Sequence, residues 1–134
     1  VPRIDRDLTN FLDNDQSISL TKGVNLFTGP VRDADPGVPD DAVFISTRGG
    51  RIPDRIMGLS YEIRSPIAFI RVRNRKYDVG HAMALSILNI LRAAKITGYL
   101  DVEPLQSEPE FVAVDDNSRF LWDLAYVMRY QEGG

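Results

Sequence analysis

The sequence predicts an α+β fold: a single mixed, mainly antiparallel sheet packed with two helices, plus long loops or arms, in one domain covering residues 1–134. Three observations predict it. Alternating apolar and arginine residues over 67–75 run into an amphipathic segment from Asp78 to about Lys95. Two apolar stretches near the C-terminus flank the polar run Asp115-Asp116-Asn117-Ser118-Arg119, a hairpin signature. The loop-rich first third ends in Thr47-Arg48-Gly49-Gly50.

Ile4, Leu8, Phe11 and Leu12 recur at i, i+4, i+7 and i+8, one face of a helix over 4–14. Asp5 and Asp7 fall in its first turn, where the helix dipole favours acids. The polar cluster 13–17 ends it. A short strand is expected over 23–27. Between Gly29 and Asp41, three prolines and four aspartates suit neither a ladder nor a core, so this is an exposed loop. Residues 42–47 read as a strand with Val43 and Ile45 on one face. Arg48-Gly49-Gly50-Arg51 reads as a flexible turn, and 48–66 as a second long loop. Its Ile56, Leu59, Tyr61 and Ile63 fit a short strand or an extended arm. Long loops in a small domain are usually functional or mobile.

Residues 67–75 form the clearest strand. Period-2 alternation turns Ala68, Ile70 and Val72 to the core and Phe69, Arg71, Arg73 and Arg75 outward. Asp78 is the expected cap of the second helix, and Gly98 lies past its end. Val79, Met83, Ile87, Ile90, Leu91 and Ala94 make its buried stripe, broadened by Leu85 and Leu88. A strand over 99–105 ends at Pro104 or soon after. Residues 111–114 and 120–130 pair antiparallel across the polar turn. In the last strand Trp122, Leu124, Tyr126, Met128 and Tyr130 share one face; Asp123, Ala125, Val127 and Arg129 share the other.

Composition narrows the function classes. A net charge of −3 argues against generic nucleic-acid affinity. Of the 16 basic residues only Lys22, Lys76 and Lys95 are lysine. Arginine forms planar bidentate pairs and is enriched at protein interfaces, where lysine is depleted; genomic base composition produces the same bias. The absence of cysteine excludes disulfides and thiolate metal sites and fits a cytosolic protein. No apolar run reaches the roughly 18 residues of a membrane span. Val1-Pro2-Arg3-Ile4-Asp5 lacks the apolar stretch of a signal peptide.

Reactive chemistry is sparse. The single histidine, His81, has no nucleophile-elbow pattern to serve and reads as a surface residue. Zinc needs more ligands than one His without Cys. Asp40-Asp41 and Asp115-Asp116 match no calcium-loop spacing and read as solvated turns. Gly49-Gly50 lacks the Lys and the strand–turn–helix context of a phosphate loop. No catalytic, cofactor or metal residue is assigned. The stripe Arg71, Arg73, Arg75 with Lys76 has three readings: a solvated face paired with acidic neighbours, a subunit contact, or a weak, salt-sensitive contact with DNA phosphates.

Three stretches carry a resemblance: the strand ending in Gly49-Gly50 after the Pro-rich loop; Ile70-Arg71-Val72-Arg73 leading through Tyr77 and Ala82 into Ile87-Leu88-Asn89-Ile90-Leu91; and Pro109 followed by Val114-Asp115-Asp116-Asn117-Ser118-Arg119-Phe120. In their order and spacing, over residues 4–130, the chain resembles the tail terminator family of long-tailed bacteriophages, the minor capsid or tail-completion proteins. The resemblance implies a structural virion protein at the head–tail interface, assembled in the host cytoplasm, with no catalysis. It implies a homohexameric ring that caps the tail tube protein, stops its polymerisation and docks to the head–tail connector protein, with genomic DNA passing through the lumen and no membrane. The loops at 30–41 and 48–66 would be contact arms. Candidate contact residues are Pro36, Arg48, Arg51, Arg55, Phe69, Arg71, Arg73, Arg75, Asp115, Asp116 and Arg119. Neighbouring head–tail joining proteins of connector or stopper type, and a nucleic-acid-binding module using Arg71 to Lys76, are the alternatives.

Overall fold

The alternation and helical periods of the sequence settle into α1 Ile4–Asn14, β1 Leu26–Thr28, β2 Ala42–Arg55, β3 Tyr61–Asn74, α2 Tyr77–Leu91, β4 Asp101–Pro104, β5 Glu110–Val114 and β6 Phe120–Gly133 in the computed structural model. It describes residues 3–30, 37–55, 60–92 and 94–133. One mixed sheet runs β1-β2-β3-β6-β4, with β5 also on β6. Among the described strands β1–β2 is parallel, with an isolated parallel bridge Lys22↔Leu26 beside it; β2–β3, β3–β6, β4–β6 and β5–β6 are antiparallel. The expected α+β architecture with a single, mostly antiparallel sheet is therefore present.

Both helices lie on one face of the sheet, and the strand alternation explains why. Val43 and Ile45, Ala68, Ile70 and Val72, and Trp122, Leu124, Tyr126 and Met128 all join one buried cluster. Ile4, Leu8 and Leu12 of α1 and Ile87, Leu88 and Leu91 of α2 close it from above. Each such side chain contributes about 1.5–3 kcal/mol of burial. Tyr99 Oη donates to Asp7 Oδ2 at 2.6 Å, linking the segment before β4 to α1. Burial first, and then Asp7, raises the Tyr99 pKa, so the phenol keeps the proton it donates.

β6 is the spine of the sheet. One edge pairs with β3 from Tyr61↔Gly133 to Asn74↔Phe120. The other carries β4 beside Tyr126 to Arg129 and β5 beside Phe120 to Asp123, end to end. Gln106 bridges the gap between them: its Nε2 donates to the Asp123 carbonyl and its Oε1 accepts from the Ala125 N–H, both of which a strand would otherwise satisfy.

Several expectations are corrected. Arg48 to Arg51 is not a turn: β2 continues through it, and β3 begins at Tyr61, so most of 48–66 is paired strand rather than loop, with Tyr61 to Arg64 also paired to β6. The glycines mark a bulge between Arg48 and Arg51. Gly50 has φ +72°, and a Cβ there would run into the Ser65 carbonyl oxygen, so this position requires glycine. Ile56, Leu59 and Pro36 lie outside the described residues, whereas Tyr61 and Ile63 belong to β3. The short strand near 23–27 sits later, at Leu26–Thr28.

α2 starts one residue earlier than expected, with Lys76 as N-cap and no capping side chain; Asp78 sits inside its first turn. It ends at Leu91, so Gly98, at φ +94°, serves the turn before β4. The buried stripe is Gly80, Ala84, Ile87, Leu88 and Leu91. Val79 and Leu85 are exposed, because Gly80 brings the helix close to Trp122 and rotates that face inward. β4 is shorter than 99–105, since Tyr99 and Leu100 precede it.

Candidate interaction surfaces

The helix-free face of the sheet carries the arginine stripe. Register places Phe44, Arg71 and Asp123 abreast, then Ser46, Phe69 and Ala125. Arg71 forms a bidentate pair with Asp123, Nε and Nη2 each at 2.7 Å from a carboxylate oxygen. This planar fork locks β3 to β6 across the open face. Its hydrogen bonds first, and then the Asp123 charge, raise the pKa of Arg71 further. Phe69 lies between guanidiniums, with Arg48 at 4.1 Å and Arg71 at 5.4 Å from its ring centroid. These are cation–π distances. Phe44, Phe69, Arg48 and Arg71 border a shallow groove of 350 Å³.

Arg73 and Arg119 are corrected from exposed contacts to interior braces. Arg73 faces away from the core as expected, yet it is only 1% exposed. Its guanidinium stacks over Phe44 and donates to the carbonyls of Pro39 (2.7 Å) and Asp40 (3.1 Å). The end of the Pro-rich loop thus covers it. Arg119 is 4% exposed and reaches both Asp115 (2.8 Å) and Asp40 (3.2 Å). Asp115 is therefore a half-buried anchor of the hairpin, and its Oδ1 also accepts the N–H groups of Asn117 and Arg119. Burial pushes the Asp115 pKa up, but those N–H groups and the Arg119 guanidinium outweigh it and hold the group below its ordinary value. Asp116 is exposed. Arg75 lies just past β3 and binds Asp41, whose pKa this pairing lowers.

The β2–β3 extension presents the remaining candidates. Arg48, Arg51 and Arg55 are exposed along β2. Arg51 binds Asp54 at 2.7 Å, and Arg55 and Arg64 share Glu62. Glu62 and Arg64 escaped the sequence reading because Tyr61 and Ile63 fit a short strand or an extended arm equally, which leaves the residues beside them without a place.

A second surface was also missed. β5 is exposed along its whole length, with Phe111 at 41% and Val114 at 50%. Phe111 joins Tyr77, Phe120 and Trp122 in an aromatic cluster with centroids 4.8–6.3 Å apart. His81 packs edge-on against Trp122 at 5.0 Å, half-buried rather than fully at the surface. The available signal was chemical: residues 99–118 contain six acids and no Lys or Arg.

No group of three or more His, Cys, Asp or Glu among the described residues is placed to hold a metal ion. No described helix is long and apolar enough to cross a membrane. No protein-family model matches the chain, and no curated protein matches it.

Proposed function

We propose that this chain is a tail terminator: a structural subunit at a phage head–tail joint, forming a homohexameric ring that caps the tail tube and docks to the head connector, with DNA passing through its lumen. The observation that carries the reading is the β2–β3 extension. Beyond Arg48 the strands stay paired at Arg51↔Ser65, Asp54↔Ile63 and Arg55↔Glu62, with the end of β6 along the far side of β3, and the β2 side presents the exposed charges Arg51, Asp54 and Arg55. A domain gains little stability of its own from such an arm, whereas a neighbouring subunit or tube layer gains a contact. The resemblance of residues 4–130 to that family supplies the identity of the neighbours.

Function would then be steric and complementary. One ring face binds the last tube layer; the other does not recruit a further layer. The nucleic-acid alternative is weakened by pairing. Arg71 is held by Asp123, Arg73 by loop carbonyls and Arg75 by Asp41, so little of the stripe's charge is left for phosphates.

Mass in solution by light scattering, over a concentration series, alone and with tail-tube protein, tests the proposal. A species near six times 15.1 kDa, or a ring formed only on tubes, is expected. A monomer inert to tubes at every concentration would overturn it. Binding to connector but not to tubes would move the chain to the neighbouring joining proteins.

A further inference from the structure

The two edges of the sheet carry opposite charge. On one side, the segment 99–118 holds Asp101, Glu103, Glu108, Glu110, Asp115 and Asp116 without a base. Asp101 and Glu103 bind Arg129, and Asp115 binds Arg119. Glu108, Glu110 and Asp116 make no ion pair among the described residues. β5, within this segment, pairs among the described residues with β6 alone, so its outer backbone edge is open there, and its one acid, Glu110, sits beside the exposed Phe111, Val112 and Val114. An exposed apolar strand edge without Lys or Pro inside it invites a partner.

On the other side, β2 pairs with β1 only over Val43 to Ile45. Beyond Ile45 its outer side meets no strand among the described residues; Arg51 pairs there with Asp54, and Arg55 and Arg64 share Glu62, so Arg48, Arg51, Arg55 and Arg64 outnumber two acids. The Arg55 side chain is 85% exposed. Pro53 and the two register shifts keep this edge from continuing a regular ladder. Contact here must come from side chains, with arginine stems covering apolar surface while their guanidiniums reach carboxylates.

Symmetry follows from the signs. A two-fold contact would set β5 against β5, acid on acid, or β2 against β2, arginine on arginine, and like charges in an interface are costly. Opposite edges meeting head to tail bring unlike charges together, and repetition of that contact closes into a ring or runs on as a filament. We infer that the arginine-bearing outer edge of β2 in one copy docks on the acidic, apolar β5 edge of the next copy. This deepens the ring reading and rests on it.

Charge exchange between edges is the test, read as assembled mass in whichever setting supports wild-type assembly, alone or on tail tubes. Arg51→Glu with Arg55→Glu, and separately Glu108→Arg with Glu110→Arg, should each weaken assembly by about tenfold or more. Mixing the two proteins should restore it, because each then offers the edge the other lacks; so should all four changes in one chain. Circular dichroism and Trp122 fluorescence check folding. Should Asp54 and Glu62 make the double-Glu variant unfold, Arg51→Gln with Arg55→Gln replaces it and should still weaken assembly. Variants that assemble like wild type, or a mixture that restores nothing, would overturn the inference while the wild-type ring keeps the functional reading standing. Wild-type protein that never assembles would remove both.

Discussion

Arg73 shows how a charged residue on a strand's outward side becomes structural. Its guanidinium satisfies two loop carbonyls and covers Phe44, and it is shielded from water in doing so. Arg73→Ala should therefore cost about 3 kcal/mol, measured by urea unfolding, by leaving those carbonyls without their charged donor. Arg71→Ala, at a more exposed pair, should cost about 1 kcal/mol. Gly80→Ala reverses the usual helix rule. Alanine normally gains about 1 kcal/mol over glycine inside a helix, but here a Cβ meets the Trp122 ring at 3.0 Å and Asn74 at 3.1 Å. Overpacking of about 1–3 kcal/mol should win, giving a lower melting temperature and a shifted Trp122 emission. Acid sensitivity belongs to this scale too. Asp41, held low by Arg75, and Asp115, held low by the hairpin N–H groups and Arg119 against burial, bind fewer protons folded than unfolded. Their contribution is complete above about pH 4 and is lost as pH falls through the depressed folded values. Urea midpoints across pH 2–6 should fall toward acid, and Asp115→Asn should flatten part of that fall.

At the scale of elements, α2 and the β2–β3 hairpin play opposite parts. α2 supplies Ile87 and Leu91, both fully buried. Ile87→Ala or Leu91→Ala should cost about 2–5 kcal/mol, read from denaturant midpoints. The hairpin arm beyond Arg48 adds exposed charge and few buried side chains. Replacing residues 52–63 by a two-residue turn should abolish assembly in the light-scattering assay, while the monomer still folds with a melting temperature lowered by loss of the Tyr61 to Ile63 pairing with β6. Loss of folding in that variant would show that the arm belongs to the core. The helix periods were legible before the structure because α1 and α2 each bury one face. The hairpin was not, because bulges at Gly49-Gly50 break the period-2 signal on which strand recognition depends.

For the whole molecule, one sheet with helices on one side leaves the other face and both edges to be managed. The open face is managed internally: Asp123 neutralises Arg71, Phe69 stacks with arginines, and the loop end at Pro39 and Asp40 covers Arg73. The edges are neutralised only in part, through Arg51 with Asp54, Arg55 with Glu62, and Arg129 with Asp101 and Glu103, and they differ in net sign. Assembly held by such edges should weaken as salt rises, because partly exposed charge pairs are screened within about 10 Å at 0.1 M. Sedimentation of the wild-type assembly at rising sodium chloride checks this, and an unchanged mass up to 1 M would point to a contact made by apolar surface alone.

The sequence by itself determined the type and order of nearly every element, the facing of β3 and β6, and the hairpin at Asp115 to Arg119. Period and turn chemistry are local, and each of these elements buries one face only. Tertiary structure alone decided which outward residues stay outward. Arg71 and Arg73 read identically along the strand, yet a loop more than thirty residues earlier in the chain covers one and leaves the other part exposed. It also decided that Gly49-Gly50 bends a strand instead of ending it, since a glycine pair has the same local freedom in a bulge as in a turn and only the partner strand at Ser65 selects between them.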